Sequence, residues 1–195
     1  RVFDAATGKV LRVLEGFDGA VLGVAIGNVA GQAVVAAGSD DDTVRVFDVA
    51  TGEALRVLAG FKGWVSSVAL GNVAGRAVVV AGSGNGTVRV FDATTGEALR
   101  ILKGFKRRVA SITLGDVAGR AVIVAGSRDH TVRVFDAATG QALRVLVGFK
   151  SGVSSLALGY VEGQATIVAV ESSGRTVQVF DAATEAIKQG GTRRG

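Results

Sequence analysis

The side chains that could do nucleophilic chemistry are few in this sequence. The chain of 195 residues contains one histidine and no cysteine. A Ser-His-Asp or Cys-His arrangement needs an imidazole beside the nucleophile, and only His130 could supply one. His130 lies in a predicted turn whose repeat equivalents are Asp42, Gly86 and Arg175, which is typical of a surface turn residue. The sequence therefore predicts a protein that is not an enzyme.

Carboxylates are the next candidates, as general acids or metal ligands. Asp40, Asp41 and Asp42 are adjacent in one predicted turn, where neighbouring side chains do not converge on a cation. Another aspartate recurs in every repeat and begins an Asp-x-x-Thr pattern, in which a carboxylate accepts a local backbone N–H. Those residues are Asp48, Asp92, Asp136 and Asp181. We interpret both groups as structural turns and predict no metal and no cofactor.

Gly82-Ser-Gly-Asn-Gly86 has the glycine content of a phosphate-binding loop. Such a loop leads into a helix whose N-terminus meets the anion, whereas a β-branched run begins here at Thr87. Asn85-Gly-Thr87 also has the form of a glycosylation sequon, but no signal peptide pattern accompanies it. We interpret this stretch as a tight turn between two strands.

Recognition of a partner is better supported, by residues that differ between copies of an internal repeat. They cluster in two predicted turns, one just after Gly-Phe and the other just before Thr-Val-Arg. Trp64 is the only tryptophan, and tryptophan and arginine are preferred anchors of interfaces. We predict a partner-binding face from the following residues. They are Asp18, Asp40, Asp42, Lys62, Trp64, Lys106, Arg107, Arg108, Arg128 and His130.

The repeat that carries these turns is marked by Thr-Val-Arg-Val-Phe-Asp. It stands at 43–48, 87–92 and 131–136, is cut short at 1–4 and is altered at 176–181. Its phenylalanines are spaced by 44, 44, 44 and 45 residues, and a period of this size indicates a solenoid, propeller or array. Each unit holds four short apolar runs divided by Gly/Asn/Asp turns, which predicts an all-β fold.

The polarity of the four runs predicts their layout. In one unit the strands are predicted at 65–70, 77–81, 87–91 and 98–102, with a turn over 71–75. The first two are almost uncharged, while each later one carries an arginine. Strands that are buried on both faces read as continuous apolar runs. We therefore expect the first two strands to lie deepest, in a blade that runs from centre to rim.

The repeat resembles the WD-repeat family of β-propellers. Gly126-Ser-Arg-Asp-His-Thr-Val-Arg-Val-Phe-Asp136 carries the resemblance best, and Leu58-Ala-Gly-Phe61 lies where the family has Gly-His. The resemblance implies a β-propeller of four-stranded antiparallel blades with a repeat of about 44 residues. It also implies a noncatalytic scaffold for protein interactions.

Two departures from the family concern its hydrogen-bond network. The family tryptophan is replaced by Phe47, Phe91, Phe135 and Phe180. The family histidine is replaced by Phe17, Phe61, Phe105 and Phe149. The polar half is matched by Ser39, Ser83, Ser127, Asp41, Asn85 and Asp129. Because both ring partners are apolar, no buried ring nitrogen is left unpaired, and we expect Phe–Phe packing in place of the network.

A second resemblance is to FG-GAP-type propeller repeats, which usually carry a calcium loop. Calcium takes six to eight oxygen ligands. The corresponding stretch 115–119 offers a single carboxylate, Asp116, and its equivalents Asn28, Asn72 and Tyr160 offer none. No calcium site is predicted.

Charge is distributed unevenly along the array. The formal net charge is +5, with −5 in residues 15–58 and +5 in residues 103–146. The basic stretch 103–108 and the tail residues Arg193 and Arg194 support an alternative function, the binding of nucleic acid or another acidic polymer. Aromatic residues do not alternate with these basic ones, so protein binding is favoured over nucleic acid.

We interpret the whole of 1–195 as a single propeller array. It consists of a partial blade 1–14, full repeats 15–58, 59–102 and 103–146, a degenerate repeat 147–185 and a tail 186–195. Because the sequence opens in mid-repeat without methionine, we expect an excerpt of a longer protein or a trimmed product. Four blades are few for a ring, and exposed strand edges invite pairing. We therefore expect two chains to close one eight- or nine-bladed ring as a homodimer, by exchanging terminal strands.

Cysteine is absent and no signal peptide pattern is present, which favours a cytoplasmic protein. One uncharged run, 20–39, approaches membrane-spanning length. The matching runs carry Arg76 and Arg120, so we interpret it as two buried strands and a turn. No membrane association is predicted.

Overall fold

The computed structural model describes residues 1–174 and 176–183, and the backbone of 187 and 188. All the regular secondary structure of these residues consists of β-strands. They contain no helix with the length and apolar character that a membrane span needs. Three arginines, Arg175, Arg193 and Arg194, lie outside the described residues.

The described strands form one two-stranded hairpin and four sheets of four strands, each sheet being one blade. The hairpin pairs β1 (Val2–Phe3) with β2 (Val10–Arg12). Blade 1 contains β3 (Val21–Val29), β4 (Gln32–Ser39), β5 (Val44–Asp48) and β6 (Ala54–Leu58). Blade 2 contains β7 (Val65–Val73), β8 (Arg76–Ser83), β9 (Val88–Asp92) and β10 (Ala98–Leu102). Blade 3 contains β11 (Val109–Val117), β12 (Arg120–Ser127), β13 (Val132–Asp136) and β14 (Ala142–Leu146). Blade 4 contains β15 (Val153–Val161), β16 (Gln164–Glu171), β17 (Val177–Asp181) and β18 (Ile187–Lys188).

Each blade is an antiparallel meander, and the blades lie side by side through their first strands. β3 contacts β7, β7 contacts β11, and β11 contacts β15. The first strand of each blade is therefore innermost and the fourth is outermost. The prediction of an all-β array of four-stranded antiparallel blades is confirmed.

The prediction that the first two strands lie deepest is wrong for the first strand. In blade 2 the second and third strands, β8 and β9, are the most buried, whereas β7 combines buried residues with half-buried ones and the exposed Asn72. The physical reason is that β8 and β9 have strands on both edges and blades on both faces, while the inner edge of β7 has no strand partner. The run 20–39 forms two strands as predicted, but β3 is mostly exposed because no blade covers its outer face.

The turn between the first and second strands is shorter than predicted. β7 continues to Val73 and β8 begins at Arg76, so that only Ala74 and Gly75 remain. Their φ angles are 50° and 80°, and two consecutive positive φ angles define the type I′ turn that matches strand twist. Gly71, predicted to be a turn residue, lies inside β7. A Cβ atom on Gly71 would lie 2.3 Å from Cδ2 of Leu114 in blade 3, so this glycine permits close packing between blades.

Aliphatic clusters lie between successive blades and hold the array together. Each cluster joins the second and third strands of one blade to the first strand of the next. Between blades 1 and 2, for example, Val44 and Val46 pack with Val65 and Val68, and all four are buried. The main core of this protein is therefore between its sheets.

The expected phenylalanine pairs are present in all four blades. Their ring centroids are 5.6, 5.7, 6.1 and 5.5 Å apart and the rings are tilted, which is a favourable aromatic geometry. In the first three blades an arginine of the third strand also lies over the first ring of the pair, at 4.9, 5.5 and 5.3 Å from its centroid. These arginines are Arg45, Arg89 and Arg133. In these three blades an arginine–phenylalanine cation–π contact therefore lies where the family has a polar hydrogen-bond network.

The Asp-x-x-Thr turns lie at the end of the blades that is opposite to the variable turns. Asp92 accepts hydrogen bonds from the backbone N–H groups of Thr94 and Thr95, both at 2.8 Å. Asp136 accepts one from the N–H of Thr139 at 2.7 Å. The prediction that these aspartates accept local backbone hydrogen bonds is confirmed, and in blades 1 to 3 this end is closed by a structural turn.

Candidate partner-binding face

The two variable turns of each blade lie together at one end of the sheet, which we call the variable-turn face. It consists of the loops 18–20, 62–64, 106–108 and 150–152 and the hairpin turns 40–42, 84–86, 128–130 and 172–174. A backbone hydrogen bond joins loop to turn in every blade. The donor and acceptor pairs are Asp40–Ala20 (2.9 Å), Gly84–Trp64 (2.8 Å), Arg128–Arg108 (3.0 Å) and Ser172–Gly152 (2.6 Å). The variable residues therefore lie on backbone segments that are hydrogen-bonded to each other.

The serine and the aspartate that match the family pattern form hydrogen bonds to the loop of the variable-turn face. Ser127 Oγ donates to the carbonyl oxygen of Arg107 at 3.0 Å. Asp129 accepts from the N–H of Lys106 at 2.8 Å and from Thr131 Oγ1 at 2.6 Å. In this chain the serine and aspartate thus hold the loop backbone, and the candidate binding side chains are carried on an ordered base.

Trp64 is 40% exposed and lies against the hairpin turn of its own blade. A Cβ atom on Gly84 would lie 2.7 Å from Cε2 and 2.8 Å from Cδ2 of the indole. Glycine at position 84 therefore makes room for the ring. The indole is therefore packed against this turn and partly exposed to solvent.

We expect the substitution Gly84→Ser to lift the indole off the turn, because a Cβ cannot fit at 2.7 Å from the ring. The chain has one tryptophan, so its fluorescence reports this position alone. The emission should shift to longer wavelength and become more accessible to a soluble quencher. Ala138→Ser is the control, since Ala138 is exposed at the opposite end of blade 3. Unchanged emission in Gly84→Ser would show that the ring does not rest on this turn.

The hairpin turn of one blade also contacts the loop of the next. A Cβ atom on Gly86 would lie 2.9 Å from the carbonyl oxygens of Phe105 and Arg107. Trp64 and the basic loop of blade 3 therefore flank the same turn. Similarly, a Cβ on Gly152 would lie 2.8 Å from Arg128. The variable-turn face is continuous from blade 2 to blade 4.

The basic side chains differ in how far they reach solvent. Lys62, Lys106 and Arg107 are exposed, whereas Arg108 and Arg128 are half-buried. Lys103, at the start of the predicted basic stretch, is also exposed. Lys106, Arg107, Arg108 and Arg128 thus lie in the loop and hairpin turn of blade 3 on the variable-turn face, and that loop contacts the turn of the blade that carries Trp64.

The acidic residues of blade 1 do not act as one cluster. Asp18 and Asp40 are exposed, but the carboxylate of Asp41 turns inward and accepts from Arg45 at 2.7 Å. Burial favours the neutral form of Asp41, and hydrogen bonds from Thr43 and Arg45 outweigh it and lower the pKa to about 2. Among the described residues no group of three or more histidine, cysteine or acidic side chains could hold a metal ion.

His130 and Asp42 occupy a special backbone position. Their φ angles are 68° and 62°, and the equivalent Gly86 has 81°. Histidine and aspartate are among the non-glycine residues that adopt this region more readily. In blade 4 Gly174 has a positive φ of 69°, and the predicted equivalent, Arg175, lies outside the described residues. His130 is an exposed turn residue at this position.

A buried carboxylate in blade 4, Glu171, was not found from the sequence. Its side chain is 1% exposed, and it accepts from the N–H of Ser151 at 3.0 Å and from Nε2 of Gln178 at 2.9 Å. Burial favours its neutral form, but the hydrogen bonds from Gln178 and Ser151 outweigh burial and lower the pKa. The signal was a pair of exchanges within the repeat: glutamate replaces the serine at this position, and glutamine replaces the arginine that stacks on phenylalanine elsewhere.

These lowered pKa values make stability depend on pH. Asp41 and Glu171 have folded pKa values below those of the unfolded chain, so their ionised forms stabilise the fold. The contribution is complete above about pH 4 to 5 and is lost as the pH falls through the folded values. We expect the free energy of unfolding to fall towards pH 2, as measured by urea denaturation. Asp41→Asn should reduce that fall, and an unchanged acid dependence in this variant would contradict the assignment.

Four-stranded antiparallel blades, joined through their innermost strands and carrying loops at both ends, define the class: this chain is a β-propeller array. Its sequence matches the family described as WD domain, G-beta repeat, over residues 8–48, 52–92 and 96–136. The chain therefore belongs to the WD domain, G-beta repeat family, whose members are typically non-enzymatic scaffolds for protein interactions.

Two solved structures of designed proteins are similar to this chain. The computationally designed Ika4 protein is 29% identical with a TM-score of 0.72, and the match covers 90% of this chain and 99% of that one. The computationally designed Ika8 protein is 29% identical with a TM-score of 0.73, and the match covers 92% of this chain and 51% of that one. This chain therefore spans about half the length of Ika8. None of the curated protein sequences matches it.

Proposed function

We propose that this chain is a noncatalytic scaffold that binds a protein partner on the variable-turn face. The observation that carries the proposal is Trp64, an exposed indole seated on Gly84 and next to the basic loop of blade 3. Tryptophan and arginine contribute most of the binding energy at many interfaces. Membership of the WD domain, G-beta repeat family supports the general role.

The distribution of differences between the blades supports the same face. The Asp-x-x-Thr end is tied down in each of the first three blades by the same local hydrogen bonds. The variable-turn face keeps its backbone ties but changes its side chains from acidic through aromatic to basic. A face whose backbone is the same in each blade while its side chains differ is suited to the selection of one partner.

The polarity of the face also suggests how a partner is oriented. Asp18 and Asp40 are exposed in blade 1, and Lys106 and Arg107 are exposed in blade 3. Complementary charges across an interface fix orientation and raise the association rate. We propose a partner surface with an apolar pocket for the indole and an acidic patch beside it.

The test is a comparison of proteins captured by matched variants. We expect Trp64→Ala and Arg108→Ala each to weaken partner binding at least about tenfold, as for interface anchors. Arg76→Ala, at the opposite end and paired with Asp92 at 3.4 Å, is the control and should retain binding. Quantitative mass spectrometry would measure the bound proteins, and titration would measure the affinity.

Three outcomes would overturn the proposal. One is a partner that both variants on the variable-turn face still bind with full affinity. Another is a partner lost only from Arg76→Ala. The third is capture of nucleic acid with affinity that falls steeply with salt, which would assign Lys106 and Arg107 to phosphate contacts.

A further inference from the structure

The first blade has an apolar face that the other three blades bury. Val65, Val109 and Val153 are each 0% exposed, whereas their equivalent Val21 is 45% exposed. Val24 and Ile26, which follow on the same face of β3, are 68% and 69% exposed. In the other blades these positions pack against the preceding blade. Blade 1 thus exposes the apolar face that the other blades bury against the preceding blade.

The last blade has the complementary face uncovered. Val177 and Val179 are 60% and 38% exposed, while the equivalent valines of the first three blades are buried beneath the next blade. Those buried equivalents are Val44, Val46, Val88, Val90, Val132 and Val134. Because the repeat is regular, the face exposed on blade 4 is the one that packs against a first strand such as β3.

Inside the array this contact pairs a protruding aliphatic side chain, the knob, with a glycine that leaves space for it, the notch. In each interface an aliphatic side chain of the next blade lies over a glycine. The pairs are Gly27 with Leu70, Gly71 with Leu114, and Gly115 with Leu158. Among the described residues, no atom lies within 4 Å of a Cβ built on the next glycine in the series, Gly159. The first aliphatic residue in the series, Ile26, is 69% exposed. The end of the array therefore has an empty notch, and its start has a free knob.

A backbone hydrogen bond follows the same series. The N–H of Ile112 donates to Ser67 Oγ, and the N–H of Leu156 donates to Ser111 Oγ, both at 3.0 Å. The next serine is Ser155, which is exposed, and the equivalent donor position on the uncovered face is Val24. One end of the array thus offers the serine acceptor and the other offers the N–H donor of the same hydrogen bond, in addition to their complementary shapes.

The N-terminal hairpin sets the outer wall of the uncovered face. Arg12 Nε donates to the carbonyl oxygen of Ala50 at 2.9 Å, as Arg56 in β6 donates to Thr94 at 3.1 Å. β2 therefore occupies the fourth-strand position of a blade that precedes blade 1. A groove of about 360 Å³ lies between this hairpin and β3. It is lined by Val2, Leu14, Phe17, Val21, Val24 and Ile26.

We propose that a second copy of this chain fills this groove with its last blade. Ile26 of one copy then seats over Gly159 of the other. In the shared blade, β17 of the second copy takes the third-strand position that β1 holds in the single chain, and β2 becomes the fourth strand. In the single chain the described part of β18 pairs with β17 at two positions, and β2 pairs with β1 at two, so β2 replaces β18 in a fourth-strand position of the same kind. The contact reproduces three interfaces that the chain already makes within itself.

Two such contacts close one ring of eight blades with twofold symmetry. A head-to-tail contact gives a ring when its rotation closes and a filament when it does not. The array superposes on about half of the longer Ika8 chain, with a TM-score of 0.73 and 51% of that chain covered. Four blades of a second copy would therefore take the place of the other half of the Ika8 chain.

Light scattering coupled to size-exclusion chromatography tests the proposal on the whole chain. We expect a mass twice that of the 19.7 kDa chain. Ile26→Asp and Gly159→Leu, from opposite ends, should each raise the dimer dissociation constant at least about a hundredfold. Val57→Asp is the control, because Val57 is exposed on the outer strand β6, and it should remain dimeric. Circular dichroism would confirm that each variant keeps its β structure.

A monomeric wild-type chain would overturn the proposal and assign the two faces to another occupant. Assemblies larger than two copies would overturn the closed ring. A dimer that survives both Ile26→Asp and Gly159→Leu would show that the copies meet elsewhere. If Ile26→Asp fails to fold, Gly159→Leu decides alone, since no atom of the described residues lies within 4 Å of the added Cβ.

Discussion

Replacing Phe91 by alanine should lower the free energy of unfolding by about 3 to 5 kcal/mol, the usual range for a buried phenylalanine. The Phe91 ring is buried, lies 5.7 Å from that of Phe61, and belongs to the aliphatic cluster between blades 1 and 2. Its removal leaves a cavity where two blades meet and also removes the partner of a ring that carries Arg89 over its face. Urea denaturation would measure the loss.

Ile101→Ala is the matched control for that substitution. Ile101 is a large apolar residue of the same blade, but it is exposed on the outer strand β10. Surface substitutions usually change stability by less than about 1 kcal/mol. Equal effects of the two substitutions would show that the phenylalanine pair is not part of the frame.

Replacing Gly71 by valine should destabilise the chain by about 2 to 3 kcal/mol, although valine favours strands. The reason is the distance of 2.3 Å between a Cβ at this position and Cδ2 of Leu114. The added side chain would push blades 2 and 3 apart. The midpoint of urea denaturation would report the change.

A compensating substitution distinguishes this contact from a general strand effect. Leu114→Ala removes the methyl group that the new valine side chain would meet, so the double substitution should lose less stability than the sum of the two single losses. Contacting residues show interaction energies of about 0.5 to 3 kcal/mol in such cycles. Additive effects would mean that the two blades do not meet at Gly71 and Leu114.

The repeat made most of the fold predictable. A spacing of 44 residues and four apolar runs per unit predicted the blades, and the strand pairing confirms them. Local composition misled at 71–75, where glycine and asparagine predicted a turn and the structure has strand up to Val73. Gly71 is needed because of a leucine 43 residues later. A contact so distant in sequence leaves no local signal.

The candidate site was predictable in position but not in its internal contacts. Comparison of the copies indicated both variable turns, and backbone hydrogen bonds join them. Part of the variation has a packing cause, because Gly84 accommodates Trp64 and Gly152 accommodates Arg128. The arginines over the phenylalanine rings were missed, although strand alternation places Arg45 and Phe47 on one face of β5.

Hydrogen exchange of the chain with a captured protein partner tests the central claim most directly. We expect added protection of backbone amides in the variable-turn face of blades 2 and 3, at 62–64, 84–86 and 106–108. The Asp-x-x-Thr turns at the other end should exchange as in the free chain. Protection confined to those turns, with unchanged exchange around Trp64, would contradict the assignment of the binding face.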